Sequence, residues 1–523
     1  MSTRYTNLYS AISKLEANHQ EPVLLPKGSI EFPFDSLYPG QKQILEQVAD
    51  SSACITSHTG FGKTGVFLAL TRDVASIIIE PRKHLQHQCS VGYYNDFVLY
   101  GRSGYTCKYA PTYALNAAHA PCLLKEDCGQ TKYHDDCKSA SKTCLNKECK
   151  VFPVNQTWMK YPCEDCEYLE AQKQATQVLR SNGTCIVNFG NFWSLVKSAK
   201  VVVVDEADLF FRSISAPMKL RYSTPKHDAD KSIRELLVSE VSGLQKVAAD
   251  KDASSRYKAT NLLFNAQFML ANYELCFMYQ RKDSFYIEID PRNTNILSQK
   301  LFKNKRLIIV SATPGAFDLP SYSAQIHQRC GIYFVPVGNM TSRSLSTNPH
   351  LMTAAARAIT EISDHFEMMY DNEHTIIHAG NLGTHATGIH RCLGPDNCVM
   401  HTAGKLAETI SDYLLSDKRY LIVAAASHGG DWDWCKLQFV LKFPYPALDE
   451  RMRTLERNMG PDFKAFYDND ARTQTIQVSG RNCRGYDSFG VTIMLDSKCH
   501  DDYEQNKSKY PEWFRDRVDS KVY

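Results

Sequence analysis

Ser57-His58-Thr59-Gly60-Phe61-Gly62-Lys63-Thr64 decides the reading of this chain. A short apolar run, Ala53-Cys54-Ile55, precedes it, and Gly65-Val66-Phe67-Leu68-Ala69-Leu70 follows as the start of a buried helix. Strand, glycine-rich turn and helix, in that order, make a phosphate cradle. Glycines let backbone N–H groups converge on an anion at a helix N-terminus. Lys63 then reaches the β- and γ-phosphates, and the Thr64 hydroxyl holds Mg²⁺. One departure stands out: the leading glycine of G-x-x-x-x-G-K-T is Ser57. The competing reading is an ordinary surface turn, and the flanking strand and helix weigh against it.

The chain has 523 residues, more than one hydrophobic core can organise, so two large domains plus insertions are expected. It is 43% hydrophobic and 22% charged, the balance of a soluble globular protein. A net charge of +3 excludes a basic tail and leaves a local groove as the form of any nucleic-acid surface. Residues 1–18 lack the apolar centre of a signal peptide. The apolar runs Val201–Val204 and Leu307–Val310 are strand-sized rather than membrane-spanning. A cytoplasmic protein with no membrane partner is expected.

A second acidic segment answers the phosphate loop. Lys200-Val201-Val202-Val203-Val204-Asp205-Glu206-Ala207-Asp208 delivers two carboxylates to a strand's C-terminal end, where ligands bind in doubly wound sheets. Asp205 holds Mg²⁺ through water in this reading, and Glu206 orients or deprotonates the attacking water. Ahead of the loop, Tyr38-Pro39-Gly40-Gln41 places an early glutamine on a helix, suited to adenine because an amide pairs with both edge groups of that base. A solvated glutamine is the alternative. Ser76–Glu80 reads as a buried strand and Arg306–Val310 as another, followed by Ser311-Ala312-Thr313. Residues 210–286 read as polar and helical, including Ser254–Tyr279, apart from a short strand at Phe285–Ile289.

The second half repeats the α/β alternation, with strands at Thr375–His378, Tyr420–Ala424, Gln438–Leu441 and Gly490–Leu495 and no second phosphate loop. It carries Gln477-Val478-Ser479-Gly480-Arg481-Asn482-Cys483-Arg484, whose arginines share one helix face. Arginines aimed across a cleft at a γ-phosphate stabilise transition-state charge. A solvated basic face is the alternative.

Taken in order, these segments resemble the motif series of a superfamily 2 helicase, and specifically the DinG/XPD branch. The series runs through Tyr38-Pro39-x-Gln41, Thr59–Thr64, Asp205–Asp208 and Ser311–Thr313. It continues with His428-Gly429-Gly430-Asp431, similar to the family's E-G-x-D, then Lys442-Phe443-Pro444-Tyr445-Pro446 and Gln477-x-x-Gly480-Arg481-x-x-Arg484. The tail Tyr510-Pro511-Glu512-Trp513-Phe514 is similar to an ending of compact phage DinG-like helicases, so a phage-encoded origin is part of the expectation. His428 replaces the usual glutamate, and DEAD replaces the commoner DEAH.

The resemblance implies an α/β fold of two RecA-like parallel-sheet domains clamping ATP and Mg²⁺. The first domain would take residues 1–100, 171–208 and 287–325, and the second 326–523. An iron–sulfur domain would span 101–170 and a helical, arch-like insertion 209–286. Catalysis would fall to Lys63, Asp205, Glu206, Gln477, Arg481 and Arg484. Nucleotide contacts would come from Gln41, Ser57, His58, Thr59, Gly60, Phe61, Gly62, Lys63, Thr64, Gly429 and Asp431, with Thr64 and Asp205 on Mg²⁺. The implied activity is ATP-driven 5′→3′ translocation on single-stranded DNA by a monomer that unwinds forked duplexes. The alternative is a nucleic-acid-stimulated ATPase that remodels protein–DNA complexes or R-loops without processive unwinding.

Cysteine usage fits the same branch. Of 18 cysteines, eight fall between Cys107 and Cys166, and in a large intracellular nucleoside triphosphatase metal or iron–sulfur ligation outranks disulfides. Arg102–Cys107 resembles the family's entry to its iron–sulfur domain. The resemblance implies Cys107, Cys122, Cys128 and Cys166 as ligands of a 4Fe–4S cluster, with Cys163 the rival for the fourth place. Cys137, Cys144 and Cys149, with His134, lie between and suit either a separate zinc ion or free thiols.

Overall fold

The computed structural model describes residues 5–17, 24–26, 32–57, 61–80, 86, 96–101, 104–106, 167–188, 191, 195–214, 218–221, 231–248, 263, 266–282, 284–312, 317–324, 329–372, 374–402, 405–424, 432, 434–483 and 488–523. Their architecture is two seven-stranded sheets, each parallel throughout. Valine and isoleucine runs form them because a parallel sheet is covered on both faces and needs branched apolar residues on each.

In the first sheet the spatial order is Ser321–Ala324, Ala53–Ser57, Arg306–Ser311, Val201–Val204, Ser76–Ile79, Thr184–Val187, Asp96–Leu99. Alternate residues face opposite layers. Ile77, Ile79, Val202 and Val204 enter one apolar cluster, while Ile78 and Val203 enter another with Val66, Phe67 and Leu68 of the Lys63–Leu70 helix. The parallel register brings the C-terminal ends of the phosphate-loop strand, the acid strand and the Arg306–Ser311 strand to one edge.

The second sheet runs Cys398–Met400, Tyr420–Val423, Thr375–His378, Leu437–Val440, Phe489–Asp496, Arg329–Gly338, Val518–Val522. Four of these strands match the sequence reading within two residues; Arg329–Gly338 and the two edge strands were not anticipated. A buried charge pair fastens the helices below. Arg472 on the Phe463–Ser479 helix donates twice to Asp502 on the Ser497–Gln505 helix, at 2.9 Å each, and the Tyr510 hydroxyl donates to the same carboxylate at 2.8 Å. Removing one partner from a pair this buried costs about 3–5 kcal/mol.

Two expectations are corrected. The insertion is not wholly helical: beside the Ile233–Ala248 helix stands a three-stranded antiparallel sheet of Met218–Arg221, Ser284–Ile289 and Cys276–Arg281. Cys276–Arg281 falls inside the stretch read as helix. Its alternating burial follows period two, and Lys282 at φ 54° closes the hairpin to Ser284. The Phe285–Ile289 strand accordingly pairs within the insertion rather than with the first sheet. The second correction concerns the start of the chain. The Thr6–Ala17 helix, assigned by sequence to the first domain, packs on the second, with Tyr5, Leu8 and Ile12 in its main core. Tyr9 stacks on His365 at 3.6 Å and donates to the Glu361 carbonyl at 3.2 Å.

Candidate nucleotide site

The phosphate loop leaves its strand at Ser57, which is fully buried, and its Oγ has no partner among the described residues. The loop re-enters the description at Phe61, also fully buried, and Gly62 adopts φ 71° as the residue before the helix beginning at Lys63. That left-handed conformation favours glycine, and a Cβ there would sit 2.6 Å from Gln41 Nε2. Lys63 and Thr64 open the helix, half-buried, with no side-chain cap at its start, and a helix N-terminus favours an anion. His58, Thr59 and Gly60 lie outside the described residues.

Gln41 braces this loop. Its Nε2 donates to the Phe61 carbonyl at 2.8 Å, and its Oε1 accepts the Tyr38 N–H at 2.8 Å. The amide expected to read adenine is thus engaged with the protein's own backbone on both ends. Phe32 and Phe34 lie against the far side of the helix start, where a Cβ on Gly65 would meet Phe32 at 2.8 Å. Phe34 keeps an exposed ring beside the loop.

Across the same sheet edge, Asp205 is buried and its N–H donates to the Ile79 carbonyl at 3.1 Å. Glu206, half-buried, takes φ 46°, a left-handed conformation costly for a residue with a Cβ. Its carbonyl accepts from Leu209 and Phe210, starting the Ala207–Ile214 helix. The turn therefore bends immediately after the acid strand and leaves both acids at its C-terminal end. Ser311 ends the neighbouring strand, and Ala312 follows it. Thr313 is outside the described residues.

The second lobe contributes the Phe463–Ser479 helix, with Gln477 near its end and Arg481 two residues beyond, both buried. A polar network holds that helix end. Gln438, fully buried in its strand, donates through Nε2 to the Val478 carbonyl (3.0 Å), to Asn482 Oδ1 (3.2 Å) and to Thr492 Oγ1 (2.8 Å). Its Oε1 pairs with His378 Nε2 at 3.1 Å. Asn482 Nδ2 in turn donates to the Val491 carbonyl at 3.0 Å. Burial lowers His378 to about 4, with the nearby Arg481 charge pushing the same way, so the imidazole is neutral near pH 7. Sequence reasoning missed Gln438, His378 and Asn482; a glutamine inside an apolar strand was the available signal.

Ala312 brings the lobes together. Although it follows a first-sheet strand, it lies in a cluster with Ile476 and Val478, the residues either side of Gln477. Arg484, Gly429 and Asp431 lie outside the described residues, as do Cys107, Cys122, Cys128 and Cys166 with the rest of the cysteine segment. Among the described residues no cluster of three or more His, Cys, Asp or Glu forms a metal site, and no helix is long and apolar enough to cross a membrane.

The sequence profile of the helicase C-terminal domain matches residues 401–517. No curated protein sequence matches the chain. Among solved structures, an XPD helicase superposes with TM-score 0.53 at 11% identity, over 91% of this chain and 98% of that one. The Xpd4 structure from S. tokodaii gives TM-score 0.52 at 10% identity, over 92% and 99%. An apo XPD gives 0.50 at 10% identity, over 90% and 98%. Residues 401–517 thus match a helicase C-terminal domain, and the chain as a whole has a fold similar to that of XPD helicase structures.

Proposed function

We propose that the protein is an ATP-dependent DNA helicase that translocates 5′→3′ along single-stranded DNA and unwinds forked duplexes. The observation that carries this is the shared apolar cluster of Ala312 with Ile476 and Val478, joining the phosphate-loop sheet to the helix of Gln477, which ends just before Arg481. Two lobes in contact at this point can turn nucleotide-dependent closure into movement along a strand.

The site's residues suit a Mg²⁺–triphosphate. A left-handed Gly62, a buried Ser57 hydroxyl with no partner among the described residues and a helix start without a side-chain cap suit an anion. Thr64 and, through water, Asp205 would hold Mg²⁺, which would neutralise phosphate charge. Lys63 holds the terminal phosphates, and Glu206 orients and deprotonates the attacking water. Gln477, Arg481 and Arg484 complete the charge stabilisation from the second lobe.

For the iron–sulfur cluster, Cys107, Cys122, Cys128 and Cys166 are the proposed ligands; four thiolates are a fitting donor set. Support comes from the ends of that segment. The Thr106 N–H donates to Glu167 Oε2 at 3.0 Å, across 61 positions, and Tyr105 packs edge-on to Tyr168 at 5.6 Å. The residues next to Cys107 and Cys166 are therefore neighbours.

The test is ATP hydrolysis with single-stranded DNA, single-stranded RNA or no polymer, run beside strand displacement on a 5′-tailed duplex and a visible absorption spectrum of anaerobically purified protein. DNA-stimulated hydrolysis with displacement is expected. Hydrolysis without displacement favours a remodelling ATPase, and colourless, iron-free protein refutes the cluster.

A further inference from the structure

The Ala312 carbonyl is a first-sheet group satisfied by the second lobe. It accepts the indole N–H of Trp513 at 3.1 Å, from a side chain 2% exposed. A buried main-chain carbonyl left without this donor would lose a hydrogen bond that water cannot replace. The donor is itself held firmly. Tyr510, three residues earlier, donates to Asp502, and the Arg517 guanidinium lies 5.1 Å over the Trp513 ring. The short Glu512–Arg515 helix carries Trp513 against the first sheet's edge strand Ser321–Ala324.

The acceptor's position matters as much. Ala312 continues the strand wedged between the phosphate-loop strand and the acid strand, with Ile309 level with Cys54 on one side and Val204 on the other. A displacement of this tip reaches both halves of the phosphate site. The same apolar cluster holds Ile476 and Val478 of the helix that ends just before Arg481.

We propose that Trp513 is a positioning residue that couples the lobes: its indole N–H ties the tip of the Arg306–Ser311 strand to the second lobe, so that strand engagement there is felt at the phosphate site. The inference rests on the helicase reading and adds to it a tail residue acting through Ala312. Rigid closure of the lobes carries the bond along; opening must stretch or break it.

Trp513→Phe keeps a ring and removes the N–H. Steady-state ATP hydrolysis by the full chain is measured with and without a single-stranded DNA oligonucleotide, next to thermal melting. Basal turnover and the KM for ATP are expected to match the parent, while stimulation by the oligonucleotide falls about fivefold, the factor of one net hydrogen bond. Phe514→Leu trims the same apolar cluster without touching the Ala312 carbonyl. It is expected to lower the melting temperature and keep the stimulation. Trp513→Phe stimulated like the parent overturns the proposal, as does Phe514→Leu losing stimulation to the same degree. A parent protein unstimulated by DNA fails the functional reading itself, and the coupling with it.

Discussion

Gln41 and Phe61 are joined by a 2.8 Å hydrogen bond from side-chain amide to main-chain carbonyl, across 20 positions of sequence. The bond makes the glutamine a strut of the phosphate loop, because it fixes the residue before Gly62. Gln41→Glu would aim a carboxylate oxygen at the Phe61 and Gly62 carbonyls in place of a donor. The expected result is a KM for ATP raised roughly tenfold, from about 1–2 kcal/mol lost at the loop. Steady-state kinetics check it, and an unchanged KM would reject the strut.

Glu206 combines a catalytic assignment with a left-handed backbone at φ 46°. Asparagine tolerates that conformation better than glutamate but offers no base. Glu206→Asn is therefore expected to melt higher than the parent while ATP turnover falls at least about 100-fold. Calorimetry and hydrolysis rates on one preparation test both halves of the statement.

His378 sets an acid limit on stability. Its folded pKa of about 4 lies below the ordinary 6.5, so the unfolded chain binds the extra proton between those values. Its stabilisation is present above pH 6.5 and is lost as pH falls towards 4. At pH 5 the loss amounts to roughly 2 kcal/mol. Urea titrations at pH 7 and pH 5 should show that difference in the parent and a smaller one in His378→Gln.

Glu288 behaves in the opposite sense. Burial raises its carboxyl to about 7, against the pull of Arg451, with which it pairs between the insertion and the Glu450–Met459 helix. A raised carboxyl stabilises below its unfolded pKa and loses that contribution as pH rises through 7. Glu288→Gln is expected to gain melting temperature over the parent at pH 8 and to differ little at pH 5. Equal shifts at the two values would contradict the assignment.

The strand and helix flanking the Gly-Lys-Thr turn, the acid strand and the alternation of strands and helices were legible because each depends on residues close in sequence. A Gly-Lys-Thr turn or a Val-Val-Val-Val run states its own geometry. What escaped was decided over long separations. Gln438 meets Thr492 across 54 positions and Trp513 meets Ala312 across 201, and no local pattern announces either partner. Cys276–Arg281 was misread because aromatic and thioether residues suit helix and strand alike, and the pairing with Ser284–Ile289 decides between them. Gln41 was read as an adenine contact, and its bond to the Phe61 carbonyl was visible only in three dimensions.

The Thr6–Ala17 helix and its anchor at Glu361 stand 352 positions apart. A ribosome would therefore release Tyr5, Leu8 and Ile12 long before the surface they cover exists. Until that surface emerges the apolar stripe has no home, so it is exposed to chaperones or to self-association throughout synthesis of the first lobe. Its seating has to wait for the second lobe, so a bulky fusion placed ahead of it would burden that step rather than the nucleotide lobe.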